Sequence, residues 1–205
     1  MKRKSLENKK SPQMLLWERK AKAGGFKCIA GFDEAGRGPL AGPVVAACVV
    51  LNSFDFTVRV DDSKKLTAAS RERAYRQILE KAHIGVGIVF EDTIEQVNIH
   101  QATILAMEHA YFNLPVLPDL LLIDGIIKLR LPAQQISIIK GDQKSLSIAS
   151  ASIVAKVIRD RLMLFYDKVF PEYCFRRHKG YGTKMHFDAI KKYGISELHR
   201  RSFLS

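Results

Sequence analysis

The sequence predicts an α/β fold, a mixed β-sheet with helices packed on its faces, and three observations carry that expectation. Two β-prone runs, residues 27–32 and 44–51, are joined by the Gly/Pro-rich link of residues 36–43, which is short enough for a hairpin. Later apolar runs at 120–123 and 136–139 alternate with stretches of helical periodicity, so the sheet begins as a meander and continues through helical crossovers. A chain of 205 residues is also long enough to bury about 70% of its unfolded surface in one core.

The run at 44–51 is continuously apolar, as expected of a strand covered on both faces. After it, Thr67 can cap a helix whose Tyr75, Ile78, Leu79 and Ala82 share one side. Residues 84–90 read as a strand with internal glycines. The next helical stretch sets Ile99, Ala102, Ala106 and Ala110 on a narrow stripe that could pack closely against a sheet. Residues 147–161 read as a helix of small residues, and further helices are expected at 163–169 and 186–193.

Charge is distributed unevenly. The formal net charge is +12, yet residues 1–22 hold eight Lys or Arg against two acids, residues 176–201 repeat that ratio, and residues 23–175 carry 17 of each sign. Basic ends on a neutral body suit a polyanion, with nucleic acid the first candidate and an anionic membrane surface the second. Gly24-Gly25 marks a boundary, so residues 1–25 are expected to form a basic arm, solvated or disordered, ahead of a domain at 26–205. The apolar run at 44–51 is far shorter than the roughly 20 residues that span a bilayer. With three cysteines, Cys28, Cys48 and Cys174, and no C-x-x-C pair, the expectation is a monomeric cytoplasmic protein with buried thiols.

Four carboxylates stand at strand ends or glycine turns: Asp33 and Glu34 before Ala35-Gly36-Arg37-Gly38, Asp124 before Gly125, and Asp142 after Lys140-Gly141. Neighbouring strand residues point to opposite faces, so Asp33 and Glu34 share one cation only if their strand ends at Glu34. If the strands are neighbours, their ends gather all four acids at one edge, where their repulsion calls for Mg²⁺ or Mn²⁺. Two such ions about 4 Å apart can clamp a phosphodiester. Taken singly, each acid has a plainer reading as a turn former or a surface pair.

Other segments suit the same partner. The backbone amides and guanidinium of Gly36, Arg37 and Gly38 fit a phosphate or sugar. Lys64 and Lys65 precede a helix where they could hold phosphates, or stand in a solvated loop. In residues 176–184, Tyr181 lies between glycines among cations that include Lys179, so it can lie against a sugar or base, or pack in a turn. The six histidines have no zinc-ligand spacing and read as core or surface groups, with His178 a candidate phosphate contact. No phosphate-binding G-x-x-x-x-G-K-[ST] loop occurs, which leaves nucleoside triphosphate hydrolysis without support.

As a set, these segments resemble bacterial ribonuclease HII. Residues 31–44, 62–66, 122–125, 140–142, 147–157 and 178–183 are similar to the family's motifs in the family's order. The resemblance implies a ribonuclease H-like five-stranded mixed sheet flanked by helices, with a helical C-terminal extension. It implies an enzyme that cuts the RNA strand of RNA-DNA hybrids and nicks DNA 5′ to an embedded ribonucleotide, leaving 5′-phosphate and 3′-hydroxyl ends. Asp33, Glu34, Asp124 and Asp142 would be the catalytic metal ligands for Mg²⁺ or Mn²⁺. Gly36, Arg37, Gly38 and Tyr181 would meet the 2′-hydroxyl, and Lys64 would be the phosphate ligand of the lysine pair. Residues 1–25 match no motif, and residues 194–200 replace an expected Gly-Pro-rich turn. A DNA-directed nuclease of the same superfamily and a non-catalytic hybrid binder are the alternatives.

Overall fold

The computed structural model describes residues 12–204. Five strands, β1 (Ile29–Ala35), β2 (Val44–Leu51), β3 (Ala82–Val89), β4 (Leu120–Asp124) and β5 (Gln134–Ile138), form one sheet in the order β3-β2-β1-β4-β5. β1, β2 and β3 pair antiparallel, while β1, β4 and β5 pair parallel, so the sheet is mixed. The longer helices are α1 (Leu16–Ala23), α2 (Ala68–Lys81), α3 (Glu91–Phe112) and α4 (Leu146–Val169), followed by α5 (Phe175–His178) and α6 (Lys184–Tyr193).

β2 is apolar throughout because both its faces are covered. Val44, Ala46 and Cys48 join a core with Ala102, Ala106 and Met107 of α3, while Val45, Ala47 and Val49 join one with Ala74 and Ile78 of α2 and Val154 of α4. The alanine stripe of α3 does bring helix and sheet close together. A Cβ on Gly85 or Gly87 of β3 would lie 2.0 Å from the Ala110 carbonyl oxygen or 1.9 Å from that of Ala106, so only glycine permits this approach. The stripe starts after a break at Asn98 (φ 66°), whose Oδ1 accepts from the amides of His100 and Gln101 and caps the helix anew. Thr67 caps α2 as its sequence suggests, accepting from the Ser70 amide.

Several boundaries differ from expectation. Leu79 is 52% exposed and Ala82 already belongs to β3, so the buried side of α2 is Ala74, Tyr75 and Ile78. The helices expected at 147–161 and 163–169 are one, α4, since nothing at residue 162 breaks the periodicity. β5 begins at Gln134, paired with Leu120, and stops before Ile139. Residues 12–25, assigned by charge to a solvated or disordered arm, instead contain a 3₁₀ turn and α1. Ala21 of α1 is buried, Trp17 packs against the Ile29, Leu120 and Ile148 cluster, and Glu18 reaches the start of α4. The part of the expected arm before residue 12 lies outside the described residues. All three thiols are free, but only Cys48 is fully buried. No helix among the described residues is long and apolar enough to cross a membrane.

The C-terminal extension is helical, with its own small core of Ala41, Met163, Tyr173, Phe175, Ala189 and Leu198. Ala41 comes from the β1–β2 link, so the extension packs directly against that loop.

Candidate active site

The parallel register sets the first pair of acids side by side. Phe32 pairs with Ile123 in the last rung between β1 and β4, so Asp33 and Asp124 are the next residues on adjacent strands. β1 itself continues, with Glu34 opposite Ala46 and Ala35 opposite Val45 of β2. The strand therefore does not end at Glu34, and Asp33 and Glu34 leave it on opposite sides. What ends is the pairing with β4, and this opens the edge beside both acids. Asp142 sits in a 3₁₀ turn, Gly141–Gln143, after left-handed Lys140 (φ 56°). The Gly141 amide donates to Asp124 Oδ1 at 2.6 Å and fastens that turn to the end of β4.

Asp33, Glu34 and Asp142 each feel the charge of Asp124. Burial, then the charges of Glu34 and Asp124, push the Asp33 carboxyl well above its usual range. Burial also raises Glu34, against the pull of Arg37 3.4 Å away and with a further push from Asp124. Asp142 is lifted to about 6 by burial and by Asp124 and Asp62. Burial would lower the Lys64 ammonium, but Asp33, Asp62, Asp142 and Asp124 outweigh it and raise it. One cation thus shares the field of all the acids, which marks a local excess of negative charge.

That donor set is oxygen-only and hard, which fits Mg²⁺ or Mn²⁺. A ready-made cage of all four carboxylates is nevertheless not present: among the described residues no three Asp, Glu, His or Cys side chains stand together as a ligand group. The amides of Glu34 and Gly141 occupy Asp33 Oδ1 and Asp124 Oδ1. Magnesium ordinarily takes one or two carboxylates and completes its shell with water and substrate phosphate, so the fit holds at that level.

Beside Glu34 opens a cleft of about 190 Å³, lined by Gly36, Arg37, Gly38, Ser63, Lys64, Ser152, Lys156 and Tyr181. Its glycine loop is held from behind by two fully buried arginines. Arg159 donates to the carbonyls of Pro43, Lys179 and Ala41, and Arg200 to those of Gly36, Arg37 and Gly42. All peptide bonds here are trans, so turning the Gly36 and Arg37 carbonyls toward Arg200 sends the Arg37 and Gly38 amides away from it, and all three residues line the cleft. Gly36 has φ 102°, and a Cβ there would meet Arg159 Nε at 2.2 Å. Tyr181 is 43% exposed, with Lys156 Nζ and the Arg159 guanidinium each 5.8 Å from its ring centre.

Not every expected residue reaches this cleft. Lys65 turns toward Asp61, 3.9 Å away, and borders a separate groove with Arg59 and Arg73. The Lys179 ammonium contacts the Arg176 carbonyl and borders another groove with Asp160 and Arg177. His178 is not a phosphate contact. It is buried, its Nε2 engages the Tyr173 carbonyl at 2.9 Å and its Nδ1 accepts from the Gly180 amide at 3.2 Å. Conversely, Ser63, Ser152 and Lys156 line the cleft without having been singled out. The i, i+4 spacing of Ser152 and Lys156 on a helix of small residues was the available signal.

The sequence profile of the ribonuclease HII family matches residues 30–205. The chain belongs to the ribonuclease HII family. It is 53% identical over 192 residues to the ribonuclease HII of Acetivibrio thermocellus, covering 93% of this chain and 75% of that protein. It is 52% identical over 188 residues to that of Syntrophus aciditrophicus, covering 91% and 89%. Among solved structures, the ribonuclease H2 of Pyrococcus horikoshii OT3 superposes with a TM-score of 0.73 at 25% identity, over 86% of this chain and 93% of that one. A ribonuclease HIII solved in complex with Mn²⁺, Bst-RNase HIII, shares the fold with a TM-score of 0.65 at 17% identity, over 84% and 66%. This ribonuclease HII chain is accordingly a hydrolase, a type 2 ribonuclease H with activity on RNA-DNA hybrids.

Proposed function

We propose that the enzyme, besides cutting the RNA strand of hybrids, nicks duplex DNA on the 5′ side of an embedded ribonucleotide, leaving 5′-phosphate and 3′-hydroxyl ends. The observation that carries this reading is the shared cleft, which brings Gly36, Arg37, Gly38 and the part-exposed Tyr181 together with Glu34. Amide donors and a flat ring suit a sugar hydroxyl, and the 2′-hydroxyl is the group that separates RNA from DNA at a given site. Base edges carry no such distinction.

Asp33, Glu34, Asp124 and Asp142 are the residues that would hold Mg²⁺ or Mn²⁺. Two bound ions would supply an activated water and stabilise the leaving 3′-oxygen. The chain's own work is positional. The tie from Gly141 to Asp124 fixes the Asp142 turn, Lys64 supplies positive charge against the acids and the incoming phosphate, and Lys156 offers a second ammonium beneath Tyr181.

Cleavage of an end-labelled duplex bearing one ribonucleotide tests the reading, with an all-DNA duplex and added EDTA as controls. A single cut 5′ to the ribonucleotide, abolished by EDTA, is expected. Equal cutting of all-DNA duplex would remove the ribose check, and cutting that survives EDTA would remove the metal scheme.

A further inference from the structure

Three histidines, His178, His186 and His199, are buried at the base of the Tyr181 loop, 7%, 0% and 3% exposed, around Phe175. Their hydrogen bonds fix where each proton sits. The Ser196 amide donates to His199 Nδ1 at 2.9 Å, so that nitrogen is bare and, in a neutral ring, Nε2 carries the hydrogen. At the other end, His186 Nδ1 lies 3.0 Å from the Tyr181 carbonyl, which can only accept, so Nδ1 carries the hydrogen and Nε2 is bare. The two Nε2 atoms are 3.0 Å apart, and the two ends independently demand the same direction of donation, from His199 to His186. His178 stacks on His186 with ring centres 4.3 Å apart, its Nδ1 accepting from Gly180 and its Nε2 donating to Tyr173. Its carbonyl accepts from the Tyr181 amide at 3.0 Å. The backbone of Tyr181 is therefore held on its amide side by His178 and on its carbonyl side by His186 together with the Thr183 amide, which donates to the same oxygen at 2.8 Å.

We propose that His186 and His199 are positioning residues, an oriented chain of neutral imidazoles running from Ser196 to the Tyr181 carbonyl that sets the Tyr181 ring for ribose recognition. The chain joins the C-terminal strap of residues 196–200 to the cleft. The same strap carries Arg200, so both sides of the sugar-reading cleft are set by one short segment. Burial agrees with three neutral rings, since it lowers the proton affinity of each, that of His186 to about 4.

The proposal rests on Tyr181 reading the sugar, and the test separates the two ideas. In the free enzyme at neutral pH, ¹⁵N-histidine spectra should show opposite tautomers, Nδ1–H for His186 and Nε2–H for His199; matching tautomers or a charged ring would overturn the chain. On a duplex with one ribonucleotide, His186→Phe should lower kcat/KM about 10-fold, Tyr181→Ala at least as much, and the double variant no further than Tyr181→Ala alone. Losses that multiply, or an unimpaired His186→Phe beside an impaired Tyr181→Ala, overturn the positioning role alone. A wild-type rate in Tyr181→Ala overturns the sugar-reading role itself. If His186→Phe does not fold, Asn and Gln replace it. Asn keeps a donor near Nδ1 and should be the faster of the two; Gln equal to or faster than Asn overturns the proposal.

Discussion

Arg200 holds the Gly36 carbonyl at 2.6 Å from a side chain that is wholly buried, and its second terminal nitrogen holds the Arg37 carbonyl at 3.0 Å. Glu91, at the start of α3, is the nearby counter-charge, its own carboxyl pushed up to about 7 by burial against the pull of Arg200 and Arg159. Arg200→Met would leave these carbonyls without a donor, and stability to urea should fall by about 3–5 kcal/mol. Arg200→Lys keeps the charge but loses the fork, so it should rescue only part of the loss.

Asp124→Asn keeps the shape at the end of β4 while removing a charge that acts on Asp33, Glu34 and Asp142. Turnover on a labelled hybrid should fall by about 10²-fold or more, equivalent to about 3 kcal/mol of transition-state stabilisation. Hybrid affinity measured by fluorescence anisotropy should be kept. An equal loss of affinity would place Asp124 in binding instead.

Lys64 and Lys156 line the cleft, whereas Lys65 borders a different groove. Lys64→Met and Lys156→Met should each weaken hybrid binding and reduce the slope of log K against log salt by about 1. Lys65→Met should change that slope less, as titrations from low to moderate salt would show.

His186 takes up protons less readily in the folded state, at about 4, than its ordinary value of 6.5, because burial disfavours the charged ring. His178 and His199 adjoin it, with Lys179 and Asp167 acting on His178. Between those values the unfolded chain binds the extra proton, so the stability this ring contributes is fully present above pH 6.5 and is lost as pH falls toward 4. The raised carboxyls of Asp33, Glu34, Glu91 and Asp142 act in the opposite sense, so the expected effect is a difference: between pH 6.5 and 4 the melting temperature of His186→Phe should fall less, or rise more, than that of the wild type. An unchanged slope in the variant would assign the acid sensitivity elsewhere.

Glu18 of α1 accepts from Ser145 Oγ at 2.6 Å and from the Ser147 amide at 2.9 Å, at the N-terminus of α4. A carboxylate there complements the helix dipole. Glu18→Ala should cost about 1–3 kcal/mol in equilibrium unfolding. A neutral result would mean that the Glu18 hydrogen bonds add nothing, leaving the packing of Ala21 and Trp17 as what α1 contributes.

Local chemistry made much of this legible. The Thr67 cap, the two-sided apolar run of β2 and the spacing of Ala102, Ala106 and Ala110 each state a structural requirement in a few adjacent residues. Asp124 is readable as a strand-end acid, whereas Asp33 lies inside a strand that runs on to Ala35, and their register as neighbours is a tertiary fact. What stayed hidden depends on distant partners. Glu18 looks like one more surface charge until Ser145 and Ser147 are beside it. His178 looks like part of a basic patch until Tyr173 and Gly180 occupy its nitrogens. Charge counting likewise missed α1, whose apolar residues meet their core only when β4 and α4 are in place.

The grip of Arg200 on Gly36 spans 164 positions of sequence. A ribosome delivers the glycine loop 164 residues ahead of its clamp, so strands and first helices can assemble while the loop still lacks its fastening. An ordered glycine loop thereby waits on the emergence of a strap far downstream of it.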